Sequence, residues 1–117
     1  MKIVVKNVIN SPRCITKEDG QKIFDLINSS LKNGERTTLD FNEITQFASP
    51  FFNFAIGQLL RDISVTSLRS LLIFENLDMT GKQVIERVIE NAVQYHSNSQ
   101  HRDIVNEILD KKSKEFE

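Results

Sequence analysis

The sequence predicts a single α/β domain built on a small, mostly parallel sheet, with elements in the order strand, helix, strand, helix, strand, helix, helix. Three observations lead there. Short β-rich runs at Ile3 to Ile9, Thr37 to Phe41 and Leu71 to Phe74 are each bounded by breakers or polar residues. Between them, apolar residues recur at helical spacing behind cap-like starts at Thr16, Ser49 and Thr80. No repeat, low-complexity tract or linker interrupts the pattern, so one domain accounts for residues 1–117, with about the last five frayed.

The first strand is predicted from Ile3, Val4, Val5, Val8 and Ile9, which end at the breaker cluster Asn10-Ser11-Pro12. Their apolar continuity suggests burial on both faces. Thr16-Lys17-Glu18-Asp19 resembles a capping box, and Ile23, Phe24, Ile27 and Leu31 follow as the stripe of a first helix that stops at Asn33-Gly34. Thr37 to Phe41 forms a second strand; a helix precedes it, so it should lie parallel to the first.

After the loop Glu43 to Ala48, Ser49 is read as an N-cap and Pro50 as a first-turn residue, opening a second helix that runs to about Arg61. Phe51, Phe52, Phe54, Ala55, Ile56, Leu59 and Leu60 crowd this helix beyond what one buried stripe requires, so it is either deeply buried or presents an apolar face, the second reading leaving some of them exposed. Gly57 inside it predicts close packing. A third strand is expected within Leu68 to Glu75, with helix as an alternative there. Thr80-Gly81-Lys82-Gln83 then opens a helix with the stripe Val84, Ile85, Val88, Ile89, Ala92 and Val93. Ser97 to Gln100 should break it, and Ile104, Val105, Ile108 and Leu109 mark a final helix.

Composition narrows the function classes. With 15 Lys and Arg against 16 Asp and Glu, the formal charge is -1, and no whole-molecule field gathers nucleic acid or anionic lipid. No aromatic and basic residues alternate as a nucleic-acid platform would require. The N-terminus lacks the apolar run of a signal peptide, and the longest apolar stretch elsewhere is too short for a bilayer. A single cysteine, Cys14, suits a reducing compartment, so a cytoplasmic protein with no nucleic-acid or membrane partner is expected.

Chemistry-bearing groups are sparse. Glycines stand only at positions 20, 34, 57 and 81, which assemble neither a dinucleotide fingerprint nor a phosphate loop, and no cofactor is expected. His96 and His101, with Asp103 nearby, lack a cysteine pair or a helical His-x-x-x-His and are read as surface residues, not a metal site. No G-x-S-x-G elbow presents a nucleophile. Cys14 carries no motif and is read as a bystander. Asp40, near the carboxyl end of the second strand, with Glu43 suggests a small acidic patch, most simply solvent-facing or capping. No catalytic site is legible, so the chain is read as a non-enzyme.

The stretch Thr38-Leu39-Asp40-Phe41-Asn42-Glu43-Ile44-Thr45, continuing through Ser49-Pro50-Phe51-Phe52-Asn53-Phe54-Ala55-Ile56-Gly57, resembles the STAS-like family of small bacterial α/β proteins, as does the run Leu71 to Asn76 followed by a helix. The resemblance covers Thr38 to about Val93. It implies a regulatory binding module. STAS domains proper, the anti-sigma-factor antagonists, bind a histidine-kinase-like ATPase and are switched by phosphorylation of a serine at the start of this helix. Their D-S-S-G segment falls on Ala48-Ser49-Pro50-Phe51. Pro50, which has no hydroxyl, thus occupies the acceptor position, and Ser49 is the nearest substitute as a regulatory residue.

The leading expectation is therefore a non-catalytic STAS-like module that binds a protein partner, of the anti-sigma ATPase type, through Gln46, Ser49, Phe51 and Asn53. Two alternatives stay open: a structural homodimer packed through the Ile104 to Leu109 stripe, and an enzyme with an unrecognised site.

Overall fold

The computed structural model describes the backbone of residues 1–109 and the side chains of residues 1–96. The chain runs β1 (Lys2–Val4), α1 (Val5–Ile9), β2 (Arg13–Cys14), α2 (Lys17–Lys32), β3 (Thr37–Asp40), β4 (Gln46–Phe47), α3 (Ser49–Ala55), a 3₁₀ helix (Gly57–Arg61), α4 (Val65–Leu71), β5 (Leu72–Glu75) and α5 (Met79–Leu109). Strands β1, β3 and β5 form a parallel sheet in that order, with Ile3 opposite Leu39 and Leu39 opposite Phe74. A second, two-stranded sheet pairs β2 with β4, also in parallel.

The predicted α/β class and parallel sheet are thus present. Period-two alternation decides what the main sheet buries. Ile3, Leu39, Phe41 and Leu72 enter the core, whereas Lys2, Ile73 and Glu75 are exposed. The first strand is therefore not buried on both faces as its composition suggested. Nor does it reach Ile9: after three residues the chain turns into α1, whose Val5 and Ile9 are buried four residues apart, and Asn10 closes it with φ of 59°.

Helix α2 matches its expected start. Thr16 is the N-cap, its hydroxyl accepts from the Asp19 amide at 3.1 Å, and Ile23, Phe24, Ile27 and Leu31 are buried. Asn33 caps the far end and Gly34 takes φ of 79°, the left-handed turn that ends the helix. Gly20 lies where α2 crosses α3: a Cβ there would overlap the Phe51 carbonyl oxygen and stand 3.1 Å from the Phe54 Cβ.

The second predicted helix is in fact two pieces. α3 ends at Ala55, Ile56 leaves helical geometry at φ of -122°, and a tighter 3₁₀ turn carries Leu59 and Leu60 into the core. This segment packs against both α2 and α5, so Phe51, Phe52, Ala55, Ile56, Leu59 and Leu60 are all buried and only Phe54 is partly open. The apolar excess thus faces two neighbours, not solvent. Gly57 lies against Val88 and Ala92 at ordinary contact distances of 3.6 and 3.7 Å for a Cβ, so the tight approach expected there is absent.

The Leu68 to Glu75 segment divides between both readings: Val65–Leu71 forms helix α4, capped by Ser64 accepting from the Ser67 amide, and the strand starts only at Leu72. Helix α5 starts two residues early, at Met79, with Asp78, not Thr80, accepting from the Gly81 amide at 2.8 Å. Its backbone continues unbroken to Leu109, where a break at Ser97 to Gln100 was expected. Ile85, Val88 and Ile89 are buried as predicted. The stripe Ile104, Val105, Ile108 and Leu109 lies outside the described side chains. Among the described residues, no helix is long and apolar enough to cross a membrane.

Candidate functional site

The loop after β3 is held by backbone bonds together with side-chain contacts from Thr45, Glu43 and Asp40. The Ile44 amide returns to the Phe41 carbonyl at 3.0 Å, and Glu43 takes φ of 66° to make that turn. The loop is then fastened to the β2 segment: the Thr45 amide donates to the Pro12 carbonyl at 2.7 Å and the Ala48 amide to the Cys14 carbonyl at 2.9 Å. Beneath it, Phe41 gathers Phe47, Phe52 and Phe74 with ring centroids 5.9 to 6.1 Å apart. Such pairs are each worth roughly 0.5–1.5 kcal/mol beyond buried area. The start of α3 is therefore presented from a fixed base.

On that base, the four residues singled out in the sequence separate into two groups. Gln46 on β4, and Ser49 and Asn53 on α3, are exposed; Ser49 and Asn53 stand four residues apart and share one helix face. Phe51 does not join them. It is 1 % exposed and packs edge-on against Phe52 at 4.9 Å, so it braces the surface from within and cannot line it.

The local geometry of Ser49 also differs from expectation. Ala48 occupies the N-cap position with extended backbone, Ser49 is the first helical residue, and no side chain caps α3. The Ser49 hydroxyl is consequently not consumed by capping. Pro50 follows within the first turn, where a missing N–H costs nothing.

The charged groups at the carboxyl edge of the sheet are already paired. Asp40 accepts from the Asn76 side chain at 2.8 Å and from the Asn42 amide at 2.9 Å, and Lys2 stands 3.8 Å away; these contacts, the Asn76 bond foremost, hold its carboxyl below the usual range. Glu43 bonds Lys6 at 2.7 Å, which lowers its pKa as well. Asp40 and Glu43 thus serve different partners and do not act as a pair of carboxylates. Lys2 binds Glu75 at 3.0 Å, and that contact raises its pKa.

Cys14 is fully buried, and burial, assisted by the nearby Asp19 charge, pushes its thiol up to about 12. His96 is partly buried with its ring edge-on to Tyr95 at 5.1 Å; the His101 and Asp103 side chains lie outside the described residues. Among the described residues, no group of three His, Cys, Asp or Glu side chains is placed to hold a metal.

One feature was invisible in the sequence. Where the 3₁₀ helix passes α5, a groove of about 410 Å³ opens between Asn53, Gln58 and Arg61 on one wall and Asn91, Tyr95 and His96 on the other. Its walls come from segments some forty residues apart, so no local spacing signals it.

The comparisons with known proteins bear on this architecture. Neither the curated proteins nor the solved structures compared with the chain contain a match. A family model does match residues 19–82, a span that runs from the first turn of α2 through β3, α3 and β5 to the opening turn of α5. That span is more than half of the chain, and the chain belongs to the family it describes, the STAS-like domains of unknown function (DUF4325).

Proposed function

We propose that this STAS-like domain is a non-catalytic interaction module that docks onto a protein partner through Gln46, Ser49 and Asn53, with a histidine-kinase-like ATPase as the partner class. The observation that carries the reading is the contrast across α3: its apolar side is locked into the core while Ser49, Pro50 and Asn53 are left in solvent, directly after a loop fastened to the β2 segment through Thr45 and Ala48. A preorganised polar surface of this kind loses little entropy when it docks. Family membership supports the same reading. So does the state of the reactive groups, since Cys14 is a buried neutral thiol and Asp40 is committed to holding two loops together.

The Ser49 hydroxyl, free of a capping bond, is the position through which such docking would be regulated. A photo-crosslinker placed at Asn53 should capture the ATPase encoded in the same genome, while one placed at Glu35, exposed in the turn before β3, should not. Equal capture from both positions, or from neither, would remove the proposed surface.

A further inference from the structure

The groove between the 3₁₀ helix and α5 carries chemistry that the docking surface does not use. Its volume of about 410 Å³ is in the range of small-molecule sites. Gly57 and Ala92 form a floor without large side chains, and Tyr95 supplies an aromatic wall. Three carboxamides, Asn53, Gln58 and Asn91, line it, Gln58 with only its acceptor oxygen uncommitted, and Arg61 adds a guanidinium. The Gln58 amide nitrogen is held by the Phe54 carbonyl at 2.8 Å and by Gln21 at 2.9 Å, so this side chain is fixed before any ligand arrives.

Charge selects among ligands. Arg61 is the one permanently charged side chain lining the groove among the described residues. Asp62 lies beside it, 3.6 Å from Nε, and Asp62 is itself shared with Lys32 at 3.5 Å. The contact to Asp62 is made through Nε, so it does not engage the terminal nitrogens of the guanidinium. One cation with an acid alongside suits a single negative charge and is poorly matched to a di- or triphosphate, which needs several cations or a nest of backbone amides. A planar fork matches a carboxylate, and a small-residue floor beside a tyrosine matches a flat ring.

We propose that this groove binds a small aromatic monocarboxylate: the carboxylate on Arg61, the ring over Gly57 and Ala92 against Tyr95, and the Asn53 and Asn91 amides on polar substituents. The proposal does not rest on the docking reading. Asn53 belongs to both surfaces, so the test uses Arg61 and Ala92 instead.

The full-length protein, labelled with ¹⁵N, is titrated with indole-3-acetate, phenylacetate and 4-hydroxybenzoate, and with the uncharged indole-3-ethanol as control. At least one of the three acids should give saturable amide shifts confined to residues 53–61 and 91–96. Its affinity should fall roughly tenfold in Arg61→Gln, an exposed substitution that leaves the core untouched, and indole-3-ethanol should bind about as weakly to the parent protein. Ala92→Leu, which fills the floor, should abolish the shifts; its melting temperature is measured alongside, and Arg61→Gln decides the question if that variant does not fold. Absence of shifts with all three acids up to millimolar concentration, shifts centred elsewhere, or equal affinity in Arg61→Gln would each overturn the proposal.

Discussion

The side-chain amide of Asn76 donates a 2.8 Å hydrogen bond to Asp40 Oδ1, tying the turn after β5 to the end of β3. The same oxygen accepts from the Asn42 amide, so a single carboxylate organises both loops at the carboxyl edge of the sheet. Asn76 reaches it from left-handed backbone at φ of 56°, a conformation that asparagine tolerates better than most residues.

Removing that acceptor should be costly. Asp40→Ala is expected to lower stability by roughly 1.5–3 kcal/mol, the range for hydrogen bonds to a charged group. The pH dependence follows from the lowered pKa. A carboxyl titrating lower in the folded than in the unfolded state contributes stability above its unfolded pKa and loses it as pH falls through its folded value. Urea melts of the parent should therefore weaken on acidification below about pH 4, and Asp40→Asn should show a shallower decline there.

Gly20→Ala gives opposite answers by propensity and by packing. A helix interior favours Ala over Gly by about 1 kcal/mol. Yet a methyl at position 20 would overlap the Phe51 carbonyl oxygen, which is backbone and cannot rotate aside. Overpacking of this kind costs roughly 1–3 kcal/mol, so thermal melting should show destabilisation. An increase in melting temperature would mean that α2 and α3 do not approach so closely.

Val88→Asp should destabilise by roughly 3 kcal/mol or more, because it places an unpaired carboxylate at a position 1 % exposed to solvent. Calorimetric melting of the variant measures this. An unchanged transition would show that the stripe of α5 is not core.

The thiol of Cys14 should resist alkylation. Fully buried and pushed up to about 12, it carries almost no thiolate at neutral pH. Iodoacetamide should leave the native protein unmodified by mass spectrometry and label it stoichiometrically in guanidinium. Rapid labelling of the native state would mean that the β2 segment opens readily.

The elements that sequence reasoning recovered are those whose local signals agree with tertiary packing. Thr16 with its stripe, Asn33-Gly34, the strand at Thr37 to Asp40 and the core face of α5 carry a cap, a stop or a sustained period. Val5 to Ile9 misled because β-branched residues favour strands while burial at a spacing of four is equally compatible with one helical turn, and the fold takes the turn. Helix α4 and β5 were not separated because the apolar run Leu71 to Phe74 crosses the helix-to-strand junction, with only Ser64 to mark the helix start. Strands β2 and β4 are two residues each, below the reach of any periodicity.

The site divides the same way. The exposure of Gln46, Ser49 and Asn53 was legible because polar residues at the start of a helix are visible in sequence. Phe51 was misplaced because a run of four aromatic and polar residues does not reveal which side faces a second helix. Arg61, Asn91 and Tyr95 come together only when the 3₁₀ turn redirects the chain against α5.

The most direct test of the docking surface is a binding measurement on the triple variant Gln46→Arg, Ser49→Asp, Asn53→Arg. All three positions are exposed, so the melting temperature should stay close to the parent's, and Asp in the first turn of a helix is electrostatically favourable. Titrated calorimetrically against an ATPase captured by the crosslinker at Asn53, the variant should lose measurable affinity while its fold is intact. Undiminished affinity in a folded triple variant would contradict the account and move the docking site away from α3.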